Sequence, residues 1–286
     1  MGIADSCPEP SYYRTGIRSC CVPDNVADMT RILAIHAHPD DVEILAGGTM
    51  ALLTERGHHV TIATMTGGDC GSAEFDADRI ASIRKGEASR AAAVIGADYV
   101  CAGFRDLAVF NDDASRRRVT EMLRRLRPEL VLTASPIDYH CDHEATSVLV
   151  RDACFAASTP NYATGDAEPL DAIPHLYFMD SIEGVDRDGH PQQPALSVDV
   201  SAVFAKKRAM LACHASQRRW LQKQHGIEDY LAVMEKWTRS RGRAAGMELA
   251  EGFRIYPGHP YPQSPLLESL LSVAYEAHSP RPSFNE

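Results

Sequence analysis

The stretch RILAIHAHPDDVEILAGGTMALLTE, residues 31–55, carries the first decision about this chain. Ile32 to Ile35 is a short apolar run suited to a buried strand, and Val42 to Leu53 places its apolar residues at helical spacing. Between them sit His38-Pro39-Asp40-Asp41, three polar side chains and a proline crowded into one turn. The segment therefore reads as a strand, a polar loop at its carboxyl end, and a helix.

Working outward, the same alternation recurs. His59 to Thr64, Tyr99 to Ala102 and Leu130 to Ala134 read as strands. Asp78 to Ile95, Asp113 to Arg127 and His143 to Ala157 read as the helices that follow them. Strands alternating with helices of ten to fifteen residues call for a parallel sheet covered on both faces, because each parallel crossover returns over a face of the sheet. The expected fold is α/β, a Rossmann-like, mostly parallel sheet flanked by helices. Beyond Ala157 the pattern loosens. Pro160 to Pro174 reads as loop, Leu176 to Met179 and Leu196 to Val200 as strands, and Val203 to His214 as a helix, a smaller C-terminal addition expected to wall the site. Residues 1–28 show no periodic apolar pattern and read as a poorly ordered tail, with Met29 a candidate start; residues 29–286 then form one domain.

Bulk properties narrow the classes. A 286-residue chain that is 44% hydrophobic and 24% charged is an ordinary folded protein. Its formal net charge of −10 argues against a nucleic-acid partner, which needs clustered Lys and Arg to replace counterions. The basic run Arg116-Arg117-Arg118 with Arg124, Arg125 and Arg127 reads as a solvated helix face. No run approaches the ~18 apolar residues of a membrane helix, and the first residues lack the pattern of a secretory leader, so no membrane association and a cytoplasmic location are expected. The eight cysteines show no C-x-x-C spacing and read as free thiols.

Both polar clusters fall at carboxyl strand ends, where ligands gather in open α/β sheets. In the first, an imidazole and a carboxylate three residues apart can bind one divalent ion, leaving the carboxylate between them free as a base. The plainer alternative is that Asp40 or Asp41 only caps the following helix. The second cluster, His140-Cys141-Asp142-His143, can supply one metal ligand, one group near a substrate, and one carboxylate to orient an imidazole. Together they offer His38, Asp41 and one of His140 or His143 as three ligands, with the fourth position left for water, as catalytic Zn2+ sites require. Gly47-Gly48 matches no phosphate-binding spacing and reads as close helix packing.

These residues, in this order, resemble the LmbE-like or GlcNAc-phosphatidylinositol de-N-acetylase family. The resemblance runs from Arg31 to about Tyr256 through Thr66-Gly67-Gly68-Asp69-Cys70-Gly71-Ser72, Ile83-Arg84-Lys85-Gly86-Glu87-Ala88, His214-Ala215-Ser216-Gln217, Arg241-Gly242 and Ala250-Glu251-Gly252-Phe253. It implies a zinc-dependent N-deacetylase of a small amino-sugar compound. By it, His38, Asp41 and His143 bind the metal, zinc or another divalent ion, and Asp40 is the base. His140, oriented by Asp142, steadies the oxyanion or protonates the amine. Arg84 resembles the family's substrate-contacting arginine, its alternative being an ion pair with Glu87. Cys141 departs from the family's usual proline. Val42 before Glu43 resembles the bacillithiol and diacetylchitobiose branches and favours a soluble substrate. By the same resemblance the chain forms a homo-oligomer, and His259, on the stiff turn between Pro257 and Pro260, reaches a neighbouring subunit's site. A larger acyl or thiol-conjugate substrate, and a nucleotide-binding module, are the competing readings.

Overall fold

The computed structural model describes residues 29–226 and 229–272, so the tail expected over residues 1–28 lies outside the described residues. The first half alternates as the sequence pattern requires: β1 (Arg31–His36), α1 (Asp41–Glu55), β2 (His59–Thr66), α2 (Ala77–Val94), β3 (Asp98–Phe104), α3 (Asp113–Leu126), β4 (Leu130–Thr133), α4 (Cys141–Ala157) and β5 (His175–Met179). The second half adds β6 (Leu196–Asp199), α5 (Phe204–Ala212), α6 (Ala215–His225), α7 (Tyr230–Ala244), β7 (Ala250–Ile255) and α8 (Leu266–Leu271).

All seven strands form one sheet in the order β3-β2-β1-β4-β5-β7-β6. The pairs from β3 through β5 are parallel, and β7 runs antiparallel to both β5 and β6. The fold is thus the expected α/β architecture, with the antiparallel β6-β7 edge as the C-terminal addition. The strand period of two sorts side chains to opposite faces. Ile32 and Ala34 of β1 pack with Leu45, Met50 and Leu132 on one side, while Leu33 and Ile35 pack with Val119, Val131 and Leu149 on the other. Two apolar layers bury both faces, which explains why β1 and β4 read as nearly continuous apolar runs.

Chain order reverses between β1 and β4: β2 and β3 lie on one side of β1, and β5 lies beyond β4. This switch point leaves a crevice at the carboxyl ends of two neighbouring parallel strands. His38 to Asp41 follows β1 and His140 to His143 follows β4, so sheet topology alone brings clusters a hundred residues apart to one place.

Two details depart from the sequence reading. Arg124 is not on a solvated face: it is 4% exposed and donates to the carbonyls of Ala157 (3.1 Å) and Thr159 (2.8 Å), closing the open end of α4. Gly48, but not Gly47, is demanded by packing. A Cβ on Gly48 would lie 2.6 Å from Val200 Cβ, whereas one on Gly47 would find ordinary contact at 3.5 Å. The cysteines at 70, 101, 141, 154 and 213 are free thiols.

Candidate metal and catalytic centre

The loop after β1 is shaped by one unusual residue. Asp40 stands before α1 with φ 102° and ψ −24°, a region costly for any side chain but glycine, and makes no capping hydrogen bond with its side chain. Such strain, of order 1–3 kcal/mol, persists where the surroundings enforce it and clusters at functional sites. The helix-capping alternative therefore does not describe Asp40. Its carboxylate is held instead by the Tyr230 hydroxyl, which donates to Oδ2, and by Arg84, whose guanidinium lies 3.6 Å from Oδ1. Burial pushes the Asp40 carboxyl up to about 6, against Arg84, which pulls it down.

Asp41 is the hub. Its Oδ2 accepts the His38 backbone N–H at 2.8 Å and lies 2.7 Å from His36 Nδ1. The same oxygen is 3.4 Å from His38 Nδ1 and 3.4 Å from His143 Nε2. Ligand atoms in a tetrahedral shell with bonds of about 2.0–2.1 Å stand about 3.3 Å apart, so each of the two histidine–Asp41 distances suits a shared divalent cation. The far nitrogens complete the fit. His143 Nδ1 meets Asp138 Oδ1 at 3.0 Å and His38 Nε2 meets Asp142 Oδ2 at 3.1 Å. Each carboxylate assigns the proton to the outer nitrogen and leaves the inner lone pair for a metal, the usual carboxylate–histidine–metal arrangement. Burial opposes charge on His38, but hydrogen bonds to Asp142 and Asp41 raise it to about 10, so the spot favours positive charge. The ring nitrogens of His38, His140 and His143 also gather within 4.8 Å of one another.

Two expectations are corrected in detail. The Asp142 carboxylate orients His38, not His140; it is the Asp142 backbone N–H that donates to His140 Nδ1, at 3.1 Å. The reason is helical geometry. Asp142 lies in the first turn of α4, where its amide faces the residue before the helix and its side chain projects back toward the β1 loop. That donor leaves His140 as the Nε2–H tautomer, and burial, then the neighbouring His38 and His143, lower its pKa, so it is a neutral donor. Arg84 does not pair with Glu87, which accepts from Ser216 instead. At 3% exposure Arg84 lines the cavity edge and donates to Pro39 O at 2.8 Å and Gly68 O at 3.4 Å. His259 is not brought to this centre within its own chain; it lines a separate open depression with Arg151, Tyr256 and Tyr261.

Sequence reading missed His36, Asp138 and Tyr230. His36 and Asp138 had a faint signal, each a polar residue at a strand end beside a recognised cluster. Tyr230 had none, being 190 residues from Asp40. His214 is buried in its own subunit, 3.0 Å from Glu43 Oε1. The cavity above the centre has a volume of about 640 Å³, within the ~300–1,000 Å³ usual for small-molecule sites.

A Rossmann-like sheet with a histidine–aspartate cluster at its switch point defines a class of α/β protein with a candidate metal site at the carboxyl ends of its strands. The family model of GlcNAc-PI de-N-acetylase (PIG-L) matches residues 33–154. A diacetylchitobiose deacetylase of Thermococcus kodakarensis is 30% identical, over 81% of this chain and 85% of that protein. A 4-oxalmesaconate hydratase of Pseudomonas putida is 28% identical, over 79% of this chain and 89% of its own. Among solved structures, the N,N'-diacetylchitobiose deacetylase of Pyrococcus horikoshii superposes with a TM-score of 0.69 at 24% identity, covering 84% of this chain and 89% of that one. The chain belongs to the GlcNAc-PI de-N-acetylase (PIG-L) family.

Proposed function

We propose that this protein is a zinc-dependent N-deacetylase that hydrolyses the acetamide of a small GlcNAc-type amino-sugar compound. The observation that carries the reading is the placement of Asp41 Oδ2 at 3.4 Å from both His38 Nδ1 and His143 Nε2, with the strained, buried Asp40 beside it. His38, Asp41 and His143 would hold the cation, which when bound acidifies a water and polarises the amide carbonyl. Asp40 accepts the proton of the attacking water; Arg84 and Tyr230 hold its carboxylate in place. The Nε2–H of His140 donates to the oxyanion as the carbonyl carbon becomes tetrahedral, and a proton passes to the leaving amine. Amine and acetate are the products.

The hydratase relative favours a second reading, water addition to a carbon–carbon double bond. Among the described residues lining the cavity, Arg84 is the one Lys or Arg, and it is turned toward Pro39 O and the Asp40 carboxylate, which supports the neutral acetamide. Free thiols support a reducing, cytoplasmic setting, and none of the described helices is long and apolar enough to cross a membrane. The test is acetate release from N-acetylated amino sugars by zinc-loaded protein, with loss on chelation and recovery on metal return. Hydration of 4-oxalmesaconate without acetate release from any acetamide would overturn the reading.

A further inference from the structure

The cavity above the metal centre has two unlike halves. One is the polar floor already described. The other is a wall from α6, α7 and the turn after β5, made of Trp220, Leu221, Val233, Met234, Trp237 and Val185. The chain has two tryptophans and both stand in this wall.

The wall is built rather than incidental. Gly184, at φ +65°, lies so close to Trp237 that a Cβ there would collide with the indole ring. Arg241 stacks on the other part of that ring, its guanidinium carbon 4.6 Å from the centroid. Asp180 holds Arg241 in turn, at 2.5 Å. The half-buried Trp237 fixed in this way, with half-buried Trp220 and Val233 at 42% exposure, gives the cavity an apolar surface backed by the buried Met234.

We propose that this wall binds an apolar aglycone carried by the amino-sugar substrate. The inference rests on the deacetylase reading, since it places the acetamide on the polar floor and asks what lies beyond it. A hexose stacked on tryptophan needs polar side chains for its hydroxyls; α6, α7 and the turn after β5 turn Gln217, Tyr230 and Glu183 to the cavity beside the apolar residues named above. A second sugar would have few partners on this side for its hydroxyls, and burying them unpaired costs affinity. An aromatic or branched aliphatic group loses nothing there and gains from the area it removes from water.

The test compares methyl and phenyl 2-acetamido-2-deoxy-β-D-glucopyranoside as substrates of zinc-loaded protein. The expected kcat/KM for acetate release is at least ~10-fold higher for the phenyl glycoside, the gain that burying one ring brings. Val233→Asp, at a surface position of α7, and Leu221→Ala should each reduce that ratio toward one. An independent readout uses Asp40→Asn, whose turnover is expected to be too slow to deplete substrate during a titration: the phenyl glycoside should change the fluorescence of Trp220 and Trp237 saturably, and the methyl glycoside far more weakly. Equal kcat/KM for the two glycosides with no selective fluorescence response overturns the proposal and leaves the deacetylase reading standing. A saturable response to the phenyl glycoside, without acetate from either compound, overturns the deacetylase reading and supports the apolar subsite.

Discussion

At the scale of single residues, the site is ordered by which partner faces each nitrogen of its imidazoles. His38 and His143 each have a carboxylate behind them, at 3.1 and 3.0 Å, and the same Asp41 oxygen in front. His140 has a backbone amide behind it and no carboxylate at its Nδ1. On the proposed reading that difference separates ligand from donor, and it can be measured. His38→Ala and His143→Ala are expected to lower zinc content well below one per chain by elemental analysis, while His140→Ala keeps the metal and loses turnover. Metal loss in the His140 variant alone would transfer ligand status to it. For Asp40→Asn, the amide keeps the size and can still accept from Tyr230, but it has no basic oxygen. The expected result is full zinc content with kcat reduced by about 10²–10⁴-fold, the range for removing a general base. Turnover near that of the parent would refute the assignment.

At the scale of elements, the position of α1 decides whether the loop before it presents Asp40 and Asp41 correctly. This helix is locked from the far side of the sheet. Glu251 of β7 accepts the backbone N–H groups of Gly48 and Thr49 and the Thr49 hydroxyl, at 2.8, 2.7 and 2.6 Å. Lys207 of α5 bonds both Glu251 and the Ile44 carbonyl, in a wholly buried pair. This is the physical content of the Ala250-Glu251-Gly252-Phe253 motif. The glycine pair in the same helix makes a paired prediction. Gly48→Ala drives a methyl into Val200 and is expected to destabilise by about 1–3 kcal/mol, the usual cost of overpacking. Gly47→Ala meets only ordinary contact and gains the roughly 0.5–1 kcal/mol of helical alanine over glycine. Chemical denaturation of the two variants should show opposite signs; equal shifts would mean that the approach of β6 and β7 does not constrain α1.

At the scale of the whole molecule, the candidate metal centre and the turn bearing His259 line different cavities of one chain. His259 is exposed beside Tyr256 and Tyr261, in a depression of about 610 Å³. Its service to a site must then come through assembly. The expected outcome of sedimentation is a homo-oligomer, and mixing inactive Asp40→Asn with inactive His259→Ala subunits should restore part of the activity. A monomer, or a fully active His259→Ala protein, ends that idea.

Periodicity alone was enough for the α/β architecture, because a parallel sheet buried on both faces writes itself into the chain as apolar runs spaced by amphipathic helices. The two polar clusters were equally legible, since His38 with Asp41 and His140 with His143 are neighbours in sequence and the chemistry needs them close. Their partners were not. Tyr230 reaches Asp40 across 190 residues, Glu251 reaches Gly48 across 203, and Asp142 turns its carboxylate to His38, 104 residues away, instead of to the adjacent imidazole. Pairings of this kind depend on strand order and on the direction each side chain leaves its helix, which no local spacing encodes. The apolar wall of Trp220 and Trp237 belongs to the same class. In the chain the two indoles sit on separate helices like ordinary core residues, and only the packing of α6 and α7 over the switch point turns them toward the cavity.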